Sequence, residues 1–376
     1  MTLSPTVTPI YPLNLVAERD SLGSALDEAV LGVLHSGQFV LGPEVQKLET
    51  DFAQFCGAKY GIGVASGTEA IVLALRAVGV KPGDEVVTSP FTFFASAAAV
   101  AWTGATPRLA DVDPATALLD LQKASAAVGP KTTCILPVHL YGQMVDVHAY
   151  RALCDSKGLA LVEDAAQAHG ATFKGAGPGT IGDAAAFSFY PTKNLGGAGE
   201  GGLVTTSNEA LNTSLRLLRD HGSPAKYVHT VLGTNARMHA FQGAVLNVKL
   251  PHLAAWNERR RAIAKRYDEG FAGLERAVPL LCHSDAVHSY HQYTLRVLGG
   301  GRDATVTALQ ERGIHAAIHY PKPVHLQEAA ADWGYGPGDF PIAEALCEEV
   351  LCLPVHPFLT EEDVDRVIAA LTEILN

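Results

Sequence analysis

Between Gly61 and Thr206 the chain alternates short apolar runs, EVVTSP, CILPVHL, ALVEDA, AAAFSF and GGLVTT, with helix-length segments such as Ala70 to Val78 and Val147 to Lys157. Few folds accommodate this alternation. It is the signature of βαβ units, and it predicts a mainly parallel central sheet with helices on both faces. In such sheets ligands bind just beyond the strand ends, so chemistry is expected at the residues that follow each run.

Past Pro251 the texture changes to a long helical pattern, AAWNERRRAIAKRYDEGFAGL, then the strand-like YHQYTLRVL, the helix ATVTALQERG and a terminal helix. This predicts a large domain over residues 1–250 and a smaller α/β domain over 251–376. The arm up to Val16 lacks clear periodicity and is expected to pack against another element or subunit. The basic triplet Arg259-Arg260-Arg261 lies in the helical pattern and is read as a solvated face.

Charge and composition exclude several classes. A formal charge of -11 over 376 residues argues against nucleic acid or an anionic membrane as the main partner. No apolar run reaches the roughly 20 residues that span a bilayer, and Met1 to Leu13 lacks the pattern of a secretory signal. The six cysteines form no CxxC pair and read as buried free thiols of a reducing, cytoplasmic compartment.

Three segments carry candidate chemistry. Ala65-Ser-Gly-Thr-Glu-Ala70 has the S-x-x-E form of a capping box, and Gly67 would let helix N–H groups approach an anion, with the Ser66 and Thr68 hydroxyls beside it. Leu161-Val-Glu-Asp-Ala-Ala-Gln-Ala-His169 ends a strand in two carboxylates that point to opposite faces, so only one of Glu163 and Asp164 can address a given ligand. Ser188-Phe-Tyr-Pro-Thr-Lys-Asn-Leu-Gly-Gly-Ala-Gly-Glu-Gly-Gly202 sets one lysine, Lys193, between a strand and a glycine-rich segment.

Other motifs point elsewhere and fail on context. Gly197-Ala-Gly-Glu-Gly-Gly202 matches GxGxxG but leads into a strand, and Gly61 to Gly67 precedes a helix with the wrong spacing, so neither supports a dinucleotide site. His315-Ala-Ala-Ile-His319 lacks the glutamate of HExxH and runs into Tyr320-Pro321. We read its histidines as pocket or packing residues and expect no metal.

An anion cradle, a carboxylate after a strand and a lone lysine after a later strand are the three parts a pyridoxal phosphate enzyme requires. At these residues, and through SGQFVLGPEV, KPGDEVVTSPFTFFAS, PVHLYGQ, GTNARM and HYPKPVH, the sequence resembles the DegT family of nucleotide-sugar aminotransferases, of the fold-type I class. The resemblance implies pyridoxal 5'-phosphate as cofactor and Lys193 as the Schiff-base lysine and proton-transfer base. It implies that Asp164 meets the ring nitrogen, Gln167 the ring hydroxyl and Phe93 the ring face. Gly67, Thr68 and Ser188 would hold the phosphate, with Asn235 reaching it from the second subunit of a homodimer with shared active sites.

The implied reaction moves an amino group from L-glutamate, released as 2-oxoglutarate, to a nucleotide-diphosphate-linked ketosugar, in making an amino sugar for surface polysaccharide or a glycosylated metabolite. Arg237, His319 and Tyr320 are the candidates for substrate contact. HLYGQ, KYVHTVLGTN and HYPKPVHLQ resemble members that aminate C3 of a 6-deoxyhexose or hexuronic acid; amination at C4 is the alternative. A non-catalytic cofactor-binding sensor and an NAD-dependent sugar oxidoreductase are the competing readings. The run His239-Ala-Phe-Gln-Gly243 departs from the acidic residue and QAA common after GTNARM, which bears on substrate preference. Dehydratases of the family replace the lysine with histidine; Lys193 favours transamination.

Overall fold

A computed structural model describes residues 8–376. Its centre is a seven-stranded sheet built from β1 (Tyr60–Val64), β2 (Glu85–Thr88), β3 (Thr106–Leu109), β4 (Thr132–Leu136), β5 (Ala160–Asp164), β7 (Ala184–Ser188) and β8 (Gly202–Thr206), with the two-residue β6 (Thr172–Phe173) outside it. The strand order is β1-β8-β7-β5-β4-β2-β3. From β7 to β3 all neighbours run parallel, whereas β8 is antiparallel to both β7 and β1. The fold is the α/β architecture that the alternation implied.

Strand alternation decides what each face carries. Leu161, Ala185, Phe187 and Leu203 enter one apolar cluster with Phe52 and Phe189; Val162, Ala184, Ala186 and Val204 enter another, against the helix Gly67–Ala77. Each fully buried valine, leucine or phenylalanine among them contributes roughly 1.5–3 kcal/mol, and the alanines less. The register sets Asp164 opposite Ala186, so Asp164 and Ser188 share the second face, where Gly67 begins its helix. Glu163 faces the other way, where it meets the buried His139 Nε2 at 2.7 Å and accepts from Gly179 N at 2.8 Å.

The remaining strands are β9 (Ala277–Pro279), β10 (Ala286–Val287), β11 (Tyr293–Val297) and β12 (Val350–Leu353); β12-β11-β9 form an antiparallel sheet, and β10 pairs with β6. Helices Leu253–Gly270, Arg302–Glu311 and Glu361–Leu375 cover this sheet around Tyr267, Leu295, Leu309 and Leu371. The arm joins this core: Ile10 donates its N–H to Gly313 O at 2.8 Å and Tyr11 stacks on His315 at 4.5 Å. Residues 1–7, the first half of the segment read for a signal, lie outside the described residues. No helix is long and apolar enough to cross a membrane among the described residues.

Three sequence readings need correction. Arg260 is not solvated: it is 4% exposed, donates to the Val355 and Tyr290 carbonyls, and burial lowers its pKa to about 10. Its flanking arginines are half-buried, because a helix seated on a sheet turns one residue of any consecutive three inward. The capping box is half formed: Ser66 Oγ accepts from Glu69 N at 3.2 Å, without the reciprocal bond from Glu69 among the described residues. All six cysteines are free, but Cys282 is only half-buried.

Candidate active site

Lys193 lies near enough to Asp164, His169, His291 and His319 for its charge to act on each of them. It sits in a turn closed by its own N–H to Tyr190 O at 2.9 Å, within the connection from β7 to β8, and its side chain is half-buried. Burial lowers the pKa of its ammonium to about 8, while the nearby Asp164 charge pulls the other way. A lysine with this value is a usable base near neutral pH.

Asp164, the last residue of β5, is 5% exposed. Its Oδ2 accepts from Ser96 Oγ at 2.7 Å and its Oδ1 from Ala166 N at 3.1 Å. Burial nevertheless raises its pKa, the two bonds and Lys193 offsetting only part of that cost. Such a carboxylate is short of positive charge, and a ring-nitrogen cation placed against it would relieve the deficit.

One turn further, Gln167 accepts from Tyr141 N at 2.6 Å and donates to Tyr320 Oη at 3.1 Å. One of its two amide hydrogens stays uncommitted. Tyr141 Oη in turn donates to the carbonyl of His319, whose imidazole is held neutral because burial and Lys193 lower its pKa. Phe93, in the segment after β2, has its ring 6.0 Å from that of Tyr320 and is 59% exposed. His319 and Tyr320 are thereby placed with Lys193, Asp164, Gln167 and Phe93. His315, which shares their motif, lies apart on Tyr11.

Of the residues expected to cradle an anion, Gly67 and Ser188 are brought together, and Thr68 follows Gly67 in the same helix turn. Gly67 opens its helix directly against Ser188: a Cβ at position 67 would lie 2.5 Å from Ser188 Cβ. Gly202 is needed just as strictly, since a Cβ there would meet the Ser66 carbonyl at 2.3 Å. Only glycine lets the helix start settle on the β7 and β8 ends. The unpaired N–H groups of its first turn and the Ser188 hydroxyl then present donors to an anion. This cradle and the buried carboxylate beside an amine of lowered pKa fit the phosphate, ring nitrogen and aldehyde of pyridoxal phosphate.

Two candidates stand elsewhere. Arg237 donates to Asn235 Oδ1 at 3.0 Å and to Asp220 Oδ1 at 3.2 Å, and Asn235 is exposed. Neither bonds to the Lys193 group. Sequence reading also missed residues of the site. Ser96 carries a hint, as a buried polar residue four positions after Thr92, to which it is bonded at 2.9 Å. Tyr141, Asn194, Ser289 and His291 enter only through tertiary folding, and nothing local in the sequence singles them out.

Known proteins are similar to this chain over nearly its whole length. A Geobacillus stearothermophilus protein named pleiotropic regulatory protein is 44% identical over 366 residues, covering 96% of this chain and 97% of its own. The dTDP-3-amino-3,4,6-trideoxy-alpha-D-glucose transaminase of Streptomyces venezuelae is 43% identical over 367 residues, covering 97% of this chain and 96% of its own. The crystal structure of S. venezuelae DesV in complex with a ketimine intermediate superposes with a TM-score of 0.95 at 42% identity, covering 98% of this chain and 99% of that one. The chain belongs to the DegT/DnrJ/EryC1/StrS aminotransferase family, which its residues 20–372 match.

Proposed function

We propose that the chain is a pyridoxal phosphate-dependent aminotransferase that moves the amino group of L-glutamate to the C3 ketone of a nucleotide-diphosphate-linked sugar. The observation that carries this is the half-buried Lys193, its pKa lowered to about 8, beside the buried Asp164 and the glycine-lined cradle. The name of the 43% identical transaminase, which specifies a 3-amino sugar, supports C3 over C4.

When bound, pyridoxal phosphate supplies an electron-accepting ring and an aldehyde that takes up and releases amino groups. Gly67, Thr68 and Ser188 would hold its phosphate, Asp164 its ring nitrogen and Gln167, through the uncommitted amide hydrogen, its ring hydroxyl. Phe93 would cover the ring. Lys193 Nζ, unprotonated in a useful fraction near neutral pH, takes a proton from the substrate carbon and returns it. His319 and Tyr320 border the same space and would contact the sugar.

Asn235 and Arg237 serve a second subunit in this proposal. The exposure of Asn235, and the exposed apolar residues Tyr227, Val228, Val231 and Leu232 just before it, suit a homodimer in which each chain completes its partner's site. We divide the chain at residue 250 into a cofactor-binding and a smaller domain, and place the enzyme in the cytoplasm, which the unpaired cysteines suit.

The test is the visible spectrum with and without excess L-glutamate, using Lys193→Ala as control. Wild type is expected to show a yellow band that glutamate replaces with one at shorter wavelength, and the variant to show neither. A yellow band that glutamate leaves unchanged would instead support a cofactor-binding regulator, the reading that the name of the 44% identical relative raises.

A further inference from the structure

The residue after the lysine is more tightly held than the lysine itself. Asn194 is 3% exposed, and its amide is fully bonded. Nδ2 donates to Ser289 O at 2.8 Å and to Asn257 Oδ1 at 2.9 Å, and Oδ1 lies 3.2 Å from His291 Nδ1. A backbone carbonyl can only accept, so the contact with Ser289 fixes which end of the Asn194 amide is nitrogen. Asn257 is fixed by the same logic, because its Nδ2 donates to His169 O at 2.7 Å.

This network determines where the His291 proton sits. Asn194 Oδ1 is an acceptor, so His291 Nδ1 must be the donor. The imidazole is buried and neutral, its pKa held well below the ordinary value by burial and by the surrounding Lys193, Arg260, His319 and His169. With the single proton on Nδ1, Nε2 is left as a bare acceptor. All three partners of the Asn194 side chain, Asn257 on the helix Leu253–Gly270, the Ser289 carbonyl and His291 just before β11, come from beyond residue 250.

We infer that Asn194 is a positioning residue for the transamination proposed above: it hangs the Lys193 turn from the C-terminal part of the chain and locks His291 in the Nδ1–H form. It touches no reacting atom. Its effect passes to the neighbouring Lys193 through the backbone, and a shift of the amine by about 1 Å costs on the order of 100-fold in rate. Substitutions at Asn257 or Ser289 would reach Lys193 by the same path.

The experiment combines ¹⁵N spectroscopy of the histidine rings in the holoenzyme with pH-dependent acetic anhydride labelling of Lys193 in the cofactor-free chain. Wild type is expected to show His291 as Nδ1–H, and a labelling midpoint near about 8. Asn194→Ala is expected to release His291 from that tautomer and move the Lys193 midpoint up toward the ordinary lysine value as the turn loosens. Its glutamate half-reaction is expected to slow by about 100-fold with little change in KM. Asn194→Asp keeps the acceptor for His291 and loses both donors, so it should retain the tautomer while raising the Lys193 midpoint further. That carboxylate would join Asp164 as the negative charge facing Lys193, against His169, His291, His319 and Arg260.

A wild-type His291 carrying its proton on Nε2 overturns the inference whether or not any variant folds. A folded Asn194→Ala with unchanged tautomer and unchanged Lys193 midpoint overturns it as well. Failure of the transamination reading is separate: it shows as a wild type without a Lys193-dependent yellow band, and the tautomer and labelling results stand without that band.

Discussion

Two parts of the chain carry the candidate site residues, and they are built in opposite ways. Around Lys193 the side chains are buried and satisfy one another: Ser96 on Asp164, Gln167 between Tyr141 and Tyr320, Asn194 on three partners. Around Asn235 and Arg237 they bond, among the described residues, only to each other and to Asp220, beside Tyr227 and Leu232, each 84% exposed. The first group is preorganised by one chain's own fold. The second leaves polar groups and apolar surface uncovered by the described residues, the pattern expected of the homodimer proposed above.

The largest effect should come from the first group. Lys193→Ala is expected to reduce glutamate turnover by about 10⁴-fold, the upper end for loss of a positioned base. Its stability effect has the opposite sign. A half-buried lysine titrating at about 8 instead of 10.5 charges the fold unfavourably below pH 8, and the cost vanishes as pH rises from 8 to 10.5. Cofactor-free wild type should therefore gain stability across that window in denaturant titrations, and Lys193→Met should not. A wild type with no such gain would show the lysine to be solvated, and the contrast between the two regions would lose its main support.

Asp164→Asn should follow, lowering turnover by about 100-fold, because the amide oxygen can still accept from Ala166 N and the amide N–H can donate to the Ser96 hydroxyl while the charge is lost. The folded pKa of Asp164 is raised, so the ionised form weakens the cofactor-free fold increasingly as pH climbs above 3.8. The variant is expected to melt higher than wild type at pH 7 without cofactor. Equal melting temperatures would place Asp164 in a more polar setting than its burial indicates.

The second group is tested by mixing. In a mixed dimer, Lys193→Ala and Asn235→Ala damage different sites if each chain is self-sufficient, and the same site, leaving the other intact, if partners exchange residues. Refolding the two inactive or weakened variants together should restore about a quarter of wild-type activity, since half the dimers would be mixed and each would hold one intact site. No recovery would mean that Asn235 serves its own chain or none.

How far the sequence revealed all this follows the same division. Val147 to Lys157 is a helix to the residue, and the opposite faces of Glu163 and Asp164 follow from the two-residue period of β5. Lys193 stood out because one cation lay between an apolar strand and a run of glycines. These are local patterns, and local patterns are what a sequence displays directly. Arg260 and Asn194 were opaque because their burial depends on the carbonyls of Val355 and Ser289, far away along the chain. The Asn235 segment was legible only through resemblance, since its exposed side chain bonds locally to Arg237 and no buried pattern marks it.

Ser96 lies between these extremes and gives the smallest of the expected effects. Its hydroxyl lies 68 positions from Asp164 yet supplies the only side-chain hydrogen bond to that carboxylate among the described residues. A bond to an ionised group contributes about 1.5–3 kcal/mol, so Ser96→Ala should push the Asp164 pKa up further and cost roughly tenfold in turnover. Because the lost bond favours the ionised form, the deficit should deepen as pH falls toward the Asp164 pKa and shrink as pH rises. Ser96→Thr, which keeps the hydroxyl, should recover most of the rate. A pH-independent loss in Ser96→Ala would assign its effect to packing beside Thr92 and leave the charge of Asp164 governed by burial alone.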